Sequence, residues 1–162
     1  MSVSARMQLK LTVVEALALA YLGTNSKSVT HSAIDLDTGA LTSSTTVPVT
    51  DVASFSKALS TGTGTIDLTA LDGTEATIDG SGKKVQAVLF RNPSTNANAI
   101  TIVEGAINGY ALFGASFSII LQPGQQFGAY LKDAAPDIAA GDKTIDISGT
   151  GSQALDVVLV IG

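Results

Sequence analysis

Apolar and polar residues alternate in short runs along most of this chain, and Gly, Pro, Asn, Asp and Ser separate the runs. A period of two marks a strand with one buried face, and punctuation this frequent belongs to sandwiches and barrels. Met7-Gln-Leu-Lys-Leu-Thr-Val13 alternates cleanly, with Met7, Leu9, Leu11 and Val13 on one face. It runs on into residues 15–22, whose Ala/Leu composition suits a short helix as well as a continued strand; periodicity leaves both open. Residues 29–36 predict a strand, Asp37-Thr-Gly39 its turn, and residues 41–49 the returning partner. Residues 52–59 admit a strand or one helical turn. After the break at Thr61-Gly-Thr-Gly64, residues 65–71 predict a strand with Ile66 and Leu68 inward. Asp72-Gly73 reads as a turn and residues 76–79 as a short added strand.

The second half is more sharply patterned. Residues 84–91 and 99–104 predict strands on either side of Asn92-Pro93 and Thr95-Asn-Ala-Asn98. Residues 117–121 run into Gln122-Pro-Gly124, which suits a type II turn because Pro sets φ and Gly accepts a positive one. Residues 127–131 return from it. Residues 143–147 and 155–161 form the last pair, joined by Ser148-Gly-Thr-Gly-Ser152. The final strand, Asp156-Val-Val-Leu-Val-Ile161, is apolar on both faces and belongs in the middle of a sheet or at a subunit interface. The total, roughly nine to eleven strands, exceeds what one flat sheet of this length holds. The expected fold is therefore all-β, a two-sheet, jelly-roll-like β-sandwich. Residues 1–22 are expected to form an N-terminal arm or first strand, and residues 23–162 the sandwich.

Composition narrows the function. The 162 residues are 45% hydrophobic and only 14% charged, which excludes a disordered chain. So little charge suggests that partners cover part of the surface. The net charge of −5 is uneven: residues 1–34 carry Arg6, Lys10 and Lys27 against Glu15, and the remainder carries six Lys/Arg against thirteen Asp/Glu. No basic cluster exists to neutralise a run of phosphates, so no nucleic-acid partner is expected. The basic N-terminal segment instead points to acidic neighbours. Arg6 and Lys10 ahead of an apolar run ending in Ala18-Leu19-Ala20 mimic a secretory leader, but Glu15 interrupts that run, and the segment is read as retained. No apolar run reaches transmembrane length, and no membrane partner is expected.

Candidate chemistry is sparse. With no Cys, disulfides, thiolate metal sites and Cys nucleophiles are excluded. His31 is the single His, placed within a strand, where a surface or core role is the ordinary one. Gly62-Thr-Gly64 and Gly80-Ser-Gly-Lys-Lys84 lack the phosphate-loop pattern and read as turns. Asp35 with Asp37, and Asp133 with Asp137 and Asp142, are two acidic groupings that calcium would suit, although the twelve-residue loop pattern is missing. Tyr110 and Phe113 lie near each other in a loop, either as a small aromatic patch or as core. No catalytic residue, cofactor or metal site is assigned, and the chain is read as a non-enzyme.

Phe90-Arg-Asn92 with Asn96-Ala-Asn98, then Ile107-Asn-Gly-Tyr110, Leu121-Gln-Pro-Gly-Gln125 and Gly149-Thr-Gly-Ser-Gln153 recur before a terminal apolar strand. Over residues 85–162 this pattern resembles the capsid cement or decoration proteins of tailed bacteriophages. The resemblance implies a jelly-roll-like sandwich, often a homotrimer, seated in the virion where major capsid protein subunits meet, with no catalytic residues. The partner-facing surface is expected on the N-terminal arm, at Arg6, Leu9, Lys10 and Leu11. The alternative is a tail-fibre, baseplate or glycan-binding β-sandwich module.

Overall fold

A computed structural model gives the chain ten strands and, among the described residues, no helix. The structure describes residues 3–17 and 27–162, and of residues 16, 17, 27, 29 and 31–34 the backbone alone. Two compact units emerge: Arg6–Ala40, and residues 3–5 together with Leu41–Gly162.

The larger unit holds two four-stranded antiparallel sheets. The first is built from β3 (Asp51–Ala58), β5 (Val85–Arg91), β8 (Gln126–Tyr130) and β10 (Ala154–Ile161), in the order β3-β10-β5-β8. The second, from β4 (Thr63–Asp67), β6 (Ile100–Glu104), β7 (Ser118–Leu121) and β9 (Thr144–Ser148), has the order β4-β9-β6-β7. The chain changes sheet at every connection except β6 to β7. This strand order is that of a jelly roll, two interlocked Greek keys.

Alternation explains the core. Leu155, Val157, Leu159 and Ile161 of β10 point inward with Val88 and Phe90 of β5. Ile66, Ile100, Ile102, Ile145 and Ile147 of the opposite sheet belong to the same buried cluster. At about 25 cal/mol per Å² of apolar surface removed from water, burial of this kind is the main favourable term. As the double-sided apolar pattern of β10 requires, that strand is central, flanked by β3 and β5. Its outward Val160 is covered by a second small cluster, in which Leu41, Val47 and Val49 pack with Val3, Ala5, Val52 and Tyr130.

Several expectations are corrected. Residues 41–49 do not return as a strand: Leu41 makes a single bridge to Ala5, and turns follow. Thr45 Oγ1 donates to Thr42 O and Val47 O, both at 2.7 Å, and Thr42 N donates to Thr45 Oγ1. Such hydroxyls offer the backbone local partners that compete with a ladder. Residues 76–79 contribute only a bridge between Leu71 and Ile78. Residues 52–59, left open between strand and helix, lie mostly in β3. The turn at Gln122-Pro-Gly124 forms as expected, with Gly124 at φ +83° and Gln125 N bonded to Gln122 O at 2.9 Å. Yet it joins strands of different sheets, as does the loop between β9 and β10, so neither pair is a hairpin.

In the smaller unit β1 (Gln8–Leu17) pairs antiparallel with β2 (Lys27–Asp37). Residues 15–17 thus continue the strand, while residues 18–22 lie outside the described residues. The boundary expected after residue 22 shifts accordingly. Residues 27–37 pair with β1, so this stretch belongs with the ribbon and not with the sandwich.

Candidate assembly surface

The four candidate partner-facing residues all fall in the ribbon unit. Its register sets Leu9 opposite Leu36, Leu11 opposite Ile34, and Val13 opposite His31. Lys10 faces Asp35 and Gln8 faces Asp37 on the intervening pairs. Residues directly opposite in an antiparallel pair share a face. One face therefore presents Leu9, Leu36, Leu11 and Val13, with Glu15 at the end of the row, and the other presents Gln8, Asp37, Lys10, Asp35 and Thr12. An extra residue on β2, between Leu11 and Thr12 of β1, forms a bulge that increases local twist without mixing the faces.

The apolar side chains of this ribbon stand in solvent: Leu9 is 52% exposed, Leu11 61% and Val13 47%. Val14, on the polar face, is 61% exposed. An isolated two-stranded ribbon is at best marginally stable in water, because one pleated layer buries too little. The arrangement calls for a second surface against the Leu9–Leu11–Val13 row.

The charges behave differently from the expectation that they would reach acidic partners. Arg6 Nε donates to Asp37 Oδ1 at 2.8 Å and its terminal NH₂ donates to Oδ2, a bidentate pair. Gln8 Nε2 and Gly39 N also donate to the Asp37 carboxylate, at 3.0 and 2.9 Å. The Arg6 hydrogen bonds, with those from Gly39 and Gln8, hold Asp37 well below the usual carboxylate range. Lys10 Nζ lies 3.8 Å from Asp35 Oδ2. Arg6 and Lys10 thus answer acids of their own ribbon, and its formal charge is zero: Arg6, Lys10 and Lys27 against Glu15, Asp35 and Asp37.

The remaining sequence candidates separate into different places. His31 sits in β2 opposite Val13; its side chain lies outside the described residues. Asp35 and Asp37 face cations of β1 and its approach. Asp133 and Asp137 both approach Lys84 Nζ, at 3.5 and 3.9 Å, and Asp142 lies in a tight turn bridged to Ala139. Among the described residues no three acids or histidines gather to hold a metal ion. Tyr110 is core, fully buried, its hydroxyl donating to Pro136 O at 2.7 Å and accepting from Val85 N. Phe113 packs edge-on against Phe117 and Phe127 beneath the loops. Gly80-Ser-Gly82 is a turn, whereas Gly62-Thr-Gly64 turns only at Gly62 and continues as the start of β4. At Gly62 (φ +86°) a Cβ would come within 2.8 Å of Gly149 O, so that site admits glycine alone without a backbone shift.

The motif residues of the second half meet at one corner of the sandwich. Asn92, fully buried, donates from Nδ2 to Leu121 O at 2.8 Å and Asn98 O at 3.1 Å, and its Oδ1 accepts from Asn96 Nδ2. Gln153 Nε2 donates to Asn98 O, and its Oε1 accepts from Thr150 N. Gly124 N donates to Asn92 O. These side chains staple three connecting loops together, which is a folding role. What the sequence reading missed was the ion-pair partner set, Asp35 and Asp37. The signal was their spacing of two, but its meaning depended on the β1–β2 register.

No protein-family model, no curated protein and no solved structure matches the chain.

Proposed function

We propose that the chain is a structural virion protein, a cement or decoration protein that stabilises a bacteriophage capsid by assembling at subunit junctions. Its working part is folded surface, with no reaction catalysed. One observation carries the reading: a ten-residue strand pair presents Leu9, Leu11 and Val13 to solvent on a unit too thin to have a core. The jelly-roll strand order supports it, since that fold is common in capsid subunits and their accessories. A protein that binds the assembled shell alone stabilises it by linkage, in proportion to occupancy.

The topology supplies a clean test. Ala5 and Leu41 are hydrogen-bonded neighbours, N to O at 3.0 and 2.7 Å, so Arg6–Ala40 is an excursion between two adjacent residues. Replacing it with Asn-Gly, the dipeptide that closes tight antiparallel connections, is expected to leave the sandwich with an unchanged urea midpoint. Co-sedimentation with capsid shells is expected to disappear. Full shell occupancy by the ribbonless protein would end this reading.

A second reading, a fibre or baseplate module that binds glycans, has one observation in its favour. The outer face of β3-β10-β5-β8 carries a shallow hollow of about 360 Å³, lined by Ser54, Leu89, Arg91, Gln126, Asp156 and Val158. Arg91 and Asp156 form a 2.6 Å ion pair on its rim, and such groups hydrogen-bond sugar hydroxyls. A glycan array separates the readings: a saccharide signal lost in Arg91→Ala favours the module.

A further inference from the structure

We infer that the apolar face of the β1–β2 ribbon docks on the same face of a second copy of this chain, ribbon against ribbon about a two-fold axis. This rests on the assembly reading above and names the partner of its surface.

Three features of the ribbon select a second copy. The first is charge. The ribbon is formally neutral, whereas residues 1–5 and 41–162 together carry the whole −5 of the chain. Two copies approaching through their acidic sandwiches repel each other, and approaching through ribbons they do not. An acidic or basic partner would gain nothing at the described charged residues of the ribbon's first half, because Arg6 and Lys10 are already answered by Asp37 and Asp35. The second is the separation of faces. The ion pairs Arg6–Asp37 and Lys10–Asp35 lie with Gln8 on one side, so the row from Leu9 and Leu36 to Leu11 and Val13 meets a partner without burying them; Glu15, next on the apolar face by alternation, marks the charged end of that row. Burying an unpaired charge is what most often forbids like-with-like contact.

The third is dimension. Strands of ten and eleven residues make a ribbon about 33 Å long and, with two strands, about 10 Å wide. Its equivalent in another copy matches it in length, width and twist, which is what face-to-face sheet packing needs. A face that narrow falls short of the roughly 800 Å² per partner of a standard interface. The contact is accordingly concentration-dependent, and it tightens when copies are held close together on a common surface. Same face on same face is an isologous contact and closes at two copies; a three-copy ring would be built through a different surface.

The absence of Cys from the chain makes the test clean. Leu11→Cys and Val13→Cys place a thiol on the apolar face, and Thr12→Cys places one on the polar face. With a short bis-maleimide, the first two are expected to give covalent dimers at least tenfold faster than the third. Sedimentation equilibrium of the full chain is expected to show a reversible dimer. The doubly substituted Leu9→Thr, Leu11→Thr chain, which keeps β-forming residues, is expected to need at least tenfold more protein to dimerise. A chain that stays at the mass of one copy up to about 1 mM overturns the inference, as does equal cross-linking at Thr12. So does a larger oligomer that survives the double substitution. If the monomeric chain still binds shells and the double substitution abolishes that binding, the ribbon's occupant is the shell, and only the two-copy contact fails. If ribbons dimerise while shells are not bound, the two-copy contact stands and the cement reading falls.

Discussion

At the scale of single residues, the buried polar side chains explain much of the motif content of the second half. Asn92 has no exposure and uses both ends of its amide, on Asn96 and Asn98 of its own loop and on Leu121 at the end of β7. Asn92→Ala takes the amide donor from the buried Leu121 carbonyl, while Asn98 O keeps its bond from Gln153 Nε2, so a loss of about 1–3 kcal/mol is expected from urea unfolding. Tyr110 makes a second prediction. Burial pushes its phenol up to about 12, although the Val85 N–H pulls the other way. A group held neutral in the fold but free to ionise near pH 10 when unfolded stabilises fully below that value. The contribution fades as pH rises from about 10 towards about 12. Alkaline unfolding, followed by tyrosinate absorbance, is expected to be cooperative in the native chain. In Tyr110→Phe the cooperative step within that window should vanish. The core role of Tyr110 was one of the two the sequence left open, and its burial decides for it. The role of Asn92 was not legible, since Asn92-Pro93 reads as punctuation and the sequence does not tell which loops converge on the same corner.

At the scale of elements, alternation told that Ile66 and Leu68 point inward, and the structure buries both. What alternation cannot tell is which strand lies beside which, since pairing depends on contacts far apart in sequence. Hence the strands around Gln122-Pro-Gly124 read as a hairpin although β7 and β8 belong to opposite sheets. The same limit hid the hairpin that does exist in the ribbon, whose closing segment looks helix-compatible. One connection is built against its own residue preferences. Lys132 and Asp133 both adopt positive φ, +50° and +64°, in the turn after β8, with Ala134 N bonded to Leu131 O. Asp133 N is held by Gln86 Oε1 at 2.9 Å, and Asp133 Oδ1 accepts from Gln86 Nε2. Lys132 has no comparable compensation for a conformation that costs an L-residue about 1–2 kcal/mol. Lys132→Gly is therefore expected to raise unfolding stability by about 1 kcal/mol, whereas Asp133→Gly, which removes the Gln86 contact to the carboxylate, gains less.

At the scale of the whole molecule, ion pairs tie strand ends together within each sheet, one of them reaching across β10 from the approach to β5 to the start of β3. Lys83 Nζ meets Asp51 Oδ2 at 2.7 Å, and Lys143 Nζ meets Asp67 Oδ2 at 2.8 Å. Burial raises both carboxylates, but hydrogen bonds from the lysines and from Thr50 or Thr69 outweigh it, and both titrate below their ordinary value. The folded chain thus takes up these protons less readily than the unfolded chain. The stability they supply is complete above about pH 4, the unfolded carboxylate range, and is lost as pH falls through the lowered folded values. The urea midpoint is expected to stay level from pH 7 to about pH 5 and to decline below about pH 4. A double Asp51→Asn, Asp67→Asn chain is expected to be less stable at neutrality with a shallower acid decline. The division of labour between neutral ribbon and acidic sandwich was half visible in the sequence as a change of charge along the chain. Its meaning changed once Asp35 and Asp37 proved to belong to the ribbon.

The hydrogen-bonded pair of Ala5 and Leu41 has a practical corollary. Because the chain leaves the sandwich and re-enters it at adjoining residues, the junction behaves as a socket. A foreign β-hairpin, an epitope or a small folded cargo inserted there would be carried without disturbing the core. The same geometry means that a protease cutting inside Arg6–Ala40 nicks the polypeptide yet leaves Val3 and Ala5 in place in the cluster around Leu41, Val47 and Val49.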